Sequence, residues 1–335
     1  MIMKKRILLV SLGGTITMVK TTSSGLLPKL SADDLLHRSP EIASLADIET
    51  WSPAMLPSAS LSLAEIINVA RGLRDRFAEG YDGAVIVQGT DTLEETAFLL
   101  DCLIPETHPV VVTGAMRGSD APGADGPANI ADALRVAADD GSHGRGTLAV
   151  FCGEIHAARF VRKIHTVSLS AFQSVGRAAV GAVVEGQVRF HGRTERSPAI
   201  LSVDLARERP VALFRFAMGE DDRLLRCLPD LGYGSLVIEG AGGGHVSAAM
   251  MSAIRELATQ MPVVLASRCS SGPVLRNTYT YPGSEVDLLS AGLLHAGELC
   301  GLKARLLMAL LLMSGCDRGC IEAEFRARAG GAPHD

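Results

Sequence analysis

Hydroxyl, carboxylate and amine side chains follow several short apolar runs of this 335-residue sequence, at positions where buried strands would end. Thr15 follows a pair of glycines, Thr90 and Asp91 follow another glycine, and Lys163 stands next to apolar residues. A hydroxyl beside a carboxylate at a helix start can hold a substrate ammonium group and place backbone N–H groups near a developing oxyanion. A lysine that is partly desolvated, or has a cationic neighbour, can act as a base. These residues therefore indicate binding of a small polar substrate and proton transfer.

The Gly13-Gly14 pair has two interpretations. Paired glycines after a buried strand let the backbone approach a ligand closely, which would put Thr15 at the mouth of a crevice. The pair is also compatible with an ordinary turn from a strand into a loop. It does not form a dinucleotide-binding fingerprint, because the G-x-G-x-x-G spacing is absent.

Residues 88–96 predict the start of a helix. Asp91 or Thr92 is expected as the N-cap, and Glu95 is placed for a capping box. Capping accounts for one of these polar residues but not for Thr90 as well, so Thr90 is a candidate for binding or catalysis.

The histidines and cysteines predict neither a metal site nor a cofactor. His156 and His165 lack a matching carboxylate spacing, and Cys316 and Cys320 lack a second Cys or His pair at zinc spacing. The seven cysteines are odd in number and mostly stand apart, so we expect free thiols in a reducing compartment.

Short apolar runs alternate with helical patterns along the first half of the chain. The runs at residues 7–11, 84–87, 110–112 and 148–151 each end in glycine or a polar turn, as expected for strands buried on both faces. Periodic apolar residues predict helices between them, for example over residues 93–103. The alternation predicts an α/β fold with a doubly wound, mostly parallel sheet, whose ligand crevice lies outside the carboxyl ends of the strands.

Two α/β domains are predicted. Residues 1–190 form a larger N-terminal catalytic domain that ends in a short hairpin, and residues 191–229 are predicted as a linker because the alternation is lost there. Residues 230–335 resume it as a smaller C-terminal α/β domain. Hydrophobic residues make up 47% of the chain, enough for two cores.

Charge and hydropathy limit the partners. The net charge of −5, with both signs spread along the chain, argues against a nucleic-acid partner, which needs a concentrated cationic face. The first apolar run is too short for a signal peptide, and no stretch approaches the ~20 apolar residues that span a bilayer. We therefore expect a cytoplasmic protein with a small-molecule substrate and no membrane partner.

The ordered motifs resemble the bacterial L-asparaginase family that uses threonine nucleophiles. The resemblance covers nearly the whole chain, and the ordered set is specific although each motif alone is weak. The matching segments are residues 13–16, 88–96, 113–117, 125–127, 159–163 with Thr166, 240–245, 267–268, 283–285 and 302–305.

The resemblance implies hydrolysis of L-asparagine to L-aspartate and ammonia through an acyl-enzyme on Thr15. Thr90 and Lys163 would help with proton transfer or water activation, and Asp91 would also hold the substrate ammonium. Glu285 is similar to a family glutamate that reaches into the active site of a neighbouring subunit, which implies a homodimer or homotetramer. The expected substrate-binding residues are Ser58 (on the substrate carboxylate), Ala59, Gly89, Thr90, Asp91, His245 and Glu285.

Three positions depart from the family pattern. Leu26 falls where many members carry a tyrosine that helps to activate the nucleophile, and a hydrocarbon side chain cannot replace a phenol as an acid or base. Ala59 stands where many members place a second polar group on the substrate, and His245 stands where others often have an amide side chain. These departures keep two alternatives open: the same chemistry on another small amide (glutamine, a D-amino-acid amide or a secondary-metabolite precursor), or a weakly active homologue that binds amino acids.

Overall fold

The structure is a computed structural model that describes residues 4–14, 18–20, 26–28, 31–38, 40–105, 107–192 and 196–328. For residues 18–20, 26–28, 38 and 40 it describes the backbone alone. The chain folds as two compact units, residues 1–201 and 202–335. The fold is of the predicted α/β class, with a larger N-terminal sheet unit and a smaller C-terminal unit built on a parallel sheet.

Twelve strands are described in the first unit. Eight of them form one sheet, and the others form two short hairpins. The strands are β1 (Arg6–Ser11), β2 (Met18–Lys20), β3 (Leu26–Pro28), β4 (Asp47–Trp51), β5 (Gly83–Val87), β6 (Val110–Thr113), β7 (Thr147–Phe151), β8 (Glu154–Ala157), β9 (Val161–Lys163), β10 (Phe172–Ser174), β11 (Gly181–Val184) and β12 (Gln187–Phe190).

The order of the eight-stranded sheet is β12-β11-β8-β7-β6-β5-β1-β4. Strands β4, β1, β5, β6 and β7 are parallel, and β8, β11 and β12 extend the sheet in antiparallel fashion. From β1 the chain first moves to β4 on one side and then continues through β5 on the other. In such sheets a ligand crevice forms where the winding reverses, here outside the carboxyl ends of β1 and β5.

The central strands are continuous apolar runs because both faces of each strand are buried. Alternate side chains of a strand point to opposite faces of the sheet. In β1, Ile7 and Leu9 share a buried cluster with Leu134, while Leu8 and Val10 are buried as well. The helices of this unit are α1 (Ala32–Arg38), α2 (Pro40–Ala43), α3 (Leu63–Ala78), α4 (Leu93–Leu103) and α5 (Gly126–Ala138).

A four-stranded parallel sheet forms the second unit. Its strands, in sheet order, are β13 (Val211–Arg215), β14 (Ser235–Gly240), β15 (Val263–Ser267) and β16 (Leu294–His295). Its helices are α6 (Arg223–Cys227), α7 (Met251–Gln260), α8 (Glu285–Ser290), α9 (Gly301–Met313) and α10 (Arg318–Arg328).

Strand β13 lies within residues 191–229, the segment predicted as a linker. It pairs in parallel with β14 along its whole length, so the second unit begins earlier in the chain than the sequence indicated. The strand was missed because it is a short edge strand of mixed burial, flanked by scattered charged residues.

The prediction of free thiols is wrong for two cysteines. Cys316, which precedes α10, and Cys320, in the first turn of α10, form a disulfide, and their Cα atoms lie 5.4 Å apart. The other five cysteines remain thiols. Across the described ranges, no helix combines the length and apolar character needed to cross a bilayer.

Candidate active site

The loops that follow β1 and β5 touch through their glycines. Gly14 has φ +93°, and a Cβ built on it would lie 2.0 Å from the backbone nitrogen of Gly89. Only glycine therefore fits at position 14. The contact joins the loop that leads to Thr15 with the loop that leads to Thr90. Thr15 itself lies outside the described residues, as does the side chain of Leu26.

Thr90, Asp91 and Lys163 come together as predicted. The Nζ of Lys163 donates to the Oγ1 of Thr90 at 2.8 Å and to the Oδ1 of Asp91 at 2.6 Å. Thr90 is buried, whereas the Asp91 side chain is 73% exposed. An ion pair this exposed adds little to stability, so its consequence is orientation of the amine rather than strength of the fold.

Hydrogen-bonding capacity fixes what this group can do. A lysine ammonium has three donors and no acceptor. With two N–H groups directed at Thr90 and Asp91, the Thr90 oxygen accepts, and its own O–H is left to donate to a substrate or a water.

Pairing between β9 and β10 positions Lys163. Phe172 lies opposite Lys163 in this antiparallel pair, and the backbone N–H of Ile164 donates to the carbonyl of Ala171 at 2.7 Å. The sequence suggested apolar surroundings from Val161 and Ile164. Val161 is fully buried, but Ile164 is 51% exposed, so only one of the two is part of an apolar interior.

Ser58 joins the same region through a short 3₁₀ helix, Ser58–Ser60. A Cβ on Gly89 would lie 2.8 Å from the Oγ of Ser58, so the glycine leaves room for this hydroxyl. The Oγ1 of Thr92 donates to the Ser58 carbonyl at 2.9 Å. Ser58 is buried, while Ala59 is exposed.

Thr92 does not cap α4 in the way the sequence predicted. It occupies the N-cap position but makes no side-chain capping bond, because its hydroxyl is committed to Ser58. The contact tethers the 3₁₀ helix to the start of α4, which sequence patterns could not show.

The loop after β6 is braced by Asp125 and Asn129, whose role the sequence did not reveal. The Asp125 carboxylate accepts the backbone N–H groups of Met116 and Arg117, both at 2.9 Å. Asn129 donates to the Gly114 carbonyl at 3.0 Å. A Cβ on Gly114 would lie 2.5 Å from the carbonyl oxygen of Gln88, next to the catalytic candidates. The signal available in the sequence was the Asp-Gly-Pro run at residues 125–127, which is typical of a turn followed by a helix start.

In the second unit, His245 contacts both Glu285 and Tyr281. The Nε2 of His245 lies 3.0 Å from the Oε2 of Glu285, and its Nδ1 lies 2.9 Å from the Tyr281 hydroxyl. The Oε1 of Glu285 accepts backbone N–H groups of Thr278 and Tyr279, both at 2.8 Å. Both His245 nitrogens are thus engaged, and Glu285 is fully buried rather than projecting from the surface. Tyr281 was not singled out from the sequence.

The ionisation of Glu285 follows from these contacts. Burial by itself would raise the pKa of the carboxyl, but hydrogen bonds from the backbone N–H groups of Tyr279 and Thr278 and from His245 hold the pKa below its usual value. Glu285 is therefore a carboxylate at neutral pH.

His156 is buried and has no catalytic neighbour. Burial lowers its pKa to about 4, and its Nδ1 lies 3.0 Å from the Ser174 hydroxyl. Its Nε2 lies 3.5 Å from Glu154 but makes no hydrogen bond within the described part of the chain. Nor do the described residues contain a cluster of three or more His, Cys, Asp or Glu side chains that could hold a metal.

The pKa of His156 predicts an acid-sensitive fold. A neutral buried histidine contributes stability above the pKa of the unfolded state (about 6.5), and this is lost as the pH falls towards the folded-state value of about 4. At pH 5 the loss for this one group is about 2 kcal/mol. We expect His156→Asn to show a smaller drop in thermal midpoint between pH 7 and pH 5 than the unsubstituted protein. The exposed His143, replaced in the same way, is the control, and equal drops in all three proteins would contradict the prediction.

Comparisons with known proteins agree with this architecture. Residues 6–196 match the family model "Asparaginase, N-terminal", and residues 210–325 match "Glutaminase/Asparaginase C-terminal domain". The chain is 35% identical to a probable L-asparaginase of Deinococcus radiodurans, over 96% of this chain and 97% of that protein. It is 31% identical to an L-asparaginase of Bacillus licheniformis, over 93% and 97%.

A solved structure is also similar to this chain over nearly its whole length. The chain superposes on a probable cytoplasmic L-asparaginase from Campylobacter jejuni with a TM-score of 0.86 at 29% identity, covering 96% of this chain and 99% of that one. One family model covers each unit, and both relatives match nearly the whole chain. The chain therefore belongs to the asparaginase family and is an amidohydrolase of the asparaginase type.

Proposed function

We propose that this chain hydrolyses L-asparagine to L-aspartate and ammonia, with Thr15 as the nucleophile. One observation carries the proposal. The Lys163 amine lies within hydrogen-bond distance of both Thr90 and Asp91, 2.8 and 2.6 Å away, and Gly14, which precedes Thr15, packs against the same loop. A second hydroxyl with an amine and a carboxylate beside it is the kind of group that activates a nucleophile or a water.

Two half-reactions are proposed. In the first, the Thr15 oxygen bonds to the amide carbon, the C–N bond breaks, and the threonine proton ends on the nitrogen, which leaves as ammonia. In the second, water attacks the resulting ester while Thr90 accepts a water proton and passes its own proton on through Lys163. That proton returns to the Thr15 oxygen as the ester bond breaks, so the enzyme's protons are unchanged.

The binding groups match the two ends of a free amino acid. The exposed Asp91 carboxylate can accept from a substrate ammonium group, because carboxylates are strong acceptors for charged donors. The Ser58 hydroxyl, close to Gly89, can donate to the substrate carboxylate. Gly89 lets the substrate approach the backbone, and Ala59 adds no polar contact.

The proposed working unit is a homodimer or homotetramer in the cytoplasm, in which Glu285 serves the active site of a neighbouring subunit. Both oxygens of Glu285 accept hydrogen bonds inside its own unit. Its contribution to a neighbouring site would therefore pass through His245. The structurally similar Campylobacter jejuni protein is a probable cytoplasmic L-asparaginase, which supports the proposed location.

Ammonia release across a panel of amides tests the substrate. The panel holds L-asparagine, D-asparagine, L-glutamine and simple amino-acid amides, with Thr15→Ala as the background control. We expect the highest kcat/KM for L-asparagine. A flat response to L-asparagine with strong turnover of another amide would reject it as the substrate while keeping the chemistry.

L-Glutamine is the second candidate substrate. The C-terminal family model is described as glutaminase as well as asparaginase. Ala59 also leaves the region beside Ser58 without a polar side chain that could reject a longer analogue. Binding of asparagine by calorimetry without any product would instead favour an amino-acid-binding homologue.

A further inference from the structure

Strand β16 and helices α8 and α10 of the second unit contribute to a small cavity, here called the β16 cavity. It is lined by the polar residues Arg276, His295 and Arg326 and by apolar residues that include Leu293 and Phe325. Its volume is about 210 Å³. Since a water molecule occupies about 30 Å³ in the liquid, this is space for a ligand of about seven non-hydrogen atoms. None of these residues is assigned to the proposed amide hydrolysis.

The β16 cavity has a positive charge that the described residues do not neutralise. Within the part of the chain that the structure describes, neither Arg276 nor Arg326 forms an ion pair with a carboxylate. Glu322 also lines the cavity, but its Oε1 lies 3.2 Å from the Nε of Arg318 on the same helix, so its charge is already offset. The two guanidinium groups therefore favour a negatively charged ligand, because arginine forms strong, paired hydrogen bonds with planar anions such as carboxylates.

His295 holds Arg276 in place without neutralising it. The Nε2 of His295 lies 2.9 Å from the carbonyl oxygen of Val274, which can only accept, so Nε2 carries the hydrogen. Its Nδ1 lies 2.9 Å from the backbone nitrogen of Gly297 and 3.1 Å from the Nη2 of Arg276, and both of these are donors. Burial, together with the charge of Arg276, lowers the pKa of His295 to about 4, so the ring is neutral at neutral pH. Arg276 is thus oriented by a neutral acceptor, and its charge and other N–H groups are left for a ligand.

The apolar part of the lining favours a ligand with a hydrocarbon group over inorganic phosphate. Leu293, Leu294 and Phe325 are at most 5% exposed and line the cavity. Each CH₂ group that a ligand buries against such side chains strengthens binding about fourfold. The Nη2 of Arg318 donates to the Gly292 carbonyl at 2.6 Å, which joins α10 to the turn between α8 and β16 and so fixes two walls of the cavity relative to each other.

We propose that the β16 cavity binds a short branched aliphatic carboxylate, with its carboxylate on Arg276 and its hydrocarbon tail against Leu293 and Phe325. The site is separate from the proposed amide hydrolysis and does not depend on it. Two sources share this chemistry, a branched organic acid and an α-amino acid with an apolar side chain. The amino acid would also bring an ammonium group, which the Oε2 of Glu322 could accept because Arg318 contacts Oε1.

Calorimetric titration of the full chain with isovalerate, a carboxylate of seven non-hydrogen atoms, tests the site. Arg276→Met keeps the aliphatic stem but removes the guanidinium. We expect the affinity to fall about 10-fold to 100-fold, as for the loss of hydrogen bonds to a charged group. Arg223→Met removes an exposed arginine of α6, outside the cavity lining, and should bind isovalerate as the unsubstituted protein does. Equal affinity in Arg276→Met would overturn the proposal.

Two other ligands separate the contributions of charge and tail. The neutral 3-methyl-1-butanol has the same branched tail without the carboxylate, and acetate has the carboxylate without the tail. Each should bind at least about tenfold more weakly than isovalerate, because each lacks one of the two groups that the cavity recognises. Binding of either one as tightly as isovalerate would contradict the assigned chemistry.

L-Valine distinguishes the two sources, since it has the isovalerate skeleton with an added ammonium group. Tighter binding of L-valine, with the gain lost in Glu322→Gln, would support an amino acid as the ligand, and weaker binding would support the organic acid. Ser58→Ala is the control for binding at the proposed active site and should leave the isovalerate affinity unchanged. Affinity that is lost in Ser58→Ala but kept in Arg276→Met, or no binding of either ligand at millimolar concentration, would overturn the proposal.

Discussion

Thr15→Ala should abolish amide hydrolysis while leaving the fold unchanged. Removing the nucleophile of a covalent mechanism costs on the order of 10⁵–10⁶-fold in kcat, because no acyl-enzyme can form and the remaining groups act on the substrate without it. The measurement is ammonia release with the substrate that the amide panel selects, together with the thermal midpoint of the variant.

Two control variants test whether the loss is specific to the Thr15 hydroxyl. Thr17→Ala removes another threonine hydroxyl two positions away and should retain most of the turnover. Thr15→Ser keeps a hydroxyl and should retain measurable activity. Turnover by Thr15→Ala within tenfold of the unsubstituted rate would remove Thr15 from the mechanism.

Lys163→Met should lower turnover about 1000-fold, within the range that a positioned proton-transfer group contributes. Methionine approximates the length of the side chain but has no amine to donate to Thr90 and Asp91. In the proposed mechanism the loss falls on the second half-reaction, so the acyl-enzyme on Thr15 should accumulate. Mass spectrometry of the acid-quenched variant would detect it as an adduct that is absent when Thr15 is also replaced.

Arg162→Met is the matched control for Lys163→Met. Arg162 precedes Lys163 on β9 and pairs with Gln173 on the opposite strand, so the substitution removes a cation from the same strand without touching Thr90. It should leave turnover within a few-fold. A Lys163→Met variant with the unsubstituted rate would show that the amine takes no part in proton transfer.

Thr15→Ala and Lys163→Met are expected to differ in kind as well as in size. Thr15→Ala forms no acyl-enzyme, whereas Lys163→Met accumulates one. Measuring the fraction of enzyme that is acylated at steady state therefore assigns each residue to its half-reaction, independently of the absolute rates.

Much of the fold could be predicted because local patterns and tertiary structure agree. Helix α4 runs over Leu93–Leu103, the bounds that its apolar periodicity predicts. Strand β5, Gly83–Val87, is buried at every position, as its unbroken apolar run predicts. Strand β13 was missed because edge strands carry mixed burial and lack that run.

Side-chain partners were harder to predict than elements. Thr92 has the residue type and position of an N-cap, but a carbonyl 34 residues away takes its hydroxyl. Asp125 looks like part of a turn, yet its carboxylate holds the loop after β6. Cys316 and Cys320 resemble isolated thiols until the helix that begins between them brings them together. In each case the partner of the side chain depends on how the backbone folds, which the residue type alone does not indicate.

The sequence by itself determined the α/β class, the parallel core and the order of the motifs. It also determined which hydroxyl, carboxylate and amine groups could do chemistry. These features can be predicted because apolar runs and motif spacing depend on residues that are close together in the chain. Only the tertiary structure decided which of these groups meet. Lys163 and Thr90 are 73 residues apart, and their contact depends on the pairing of β9 and β10 and on the place of β5 in the sheet. His245 likewise has its two contacts only because Tyr281 and Glu285, 36 and 40 positions further along the chain, converge on the two nitrogens of its imidazole. Directional contacts of this kind depend on distances that no local pattern encodes.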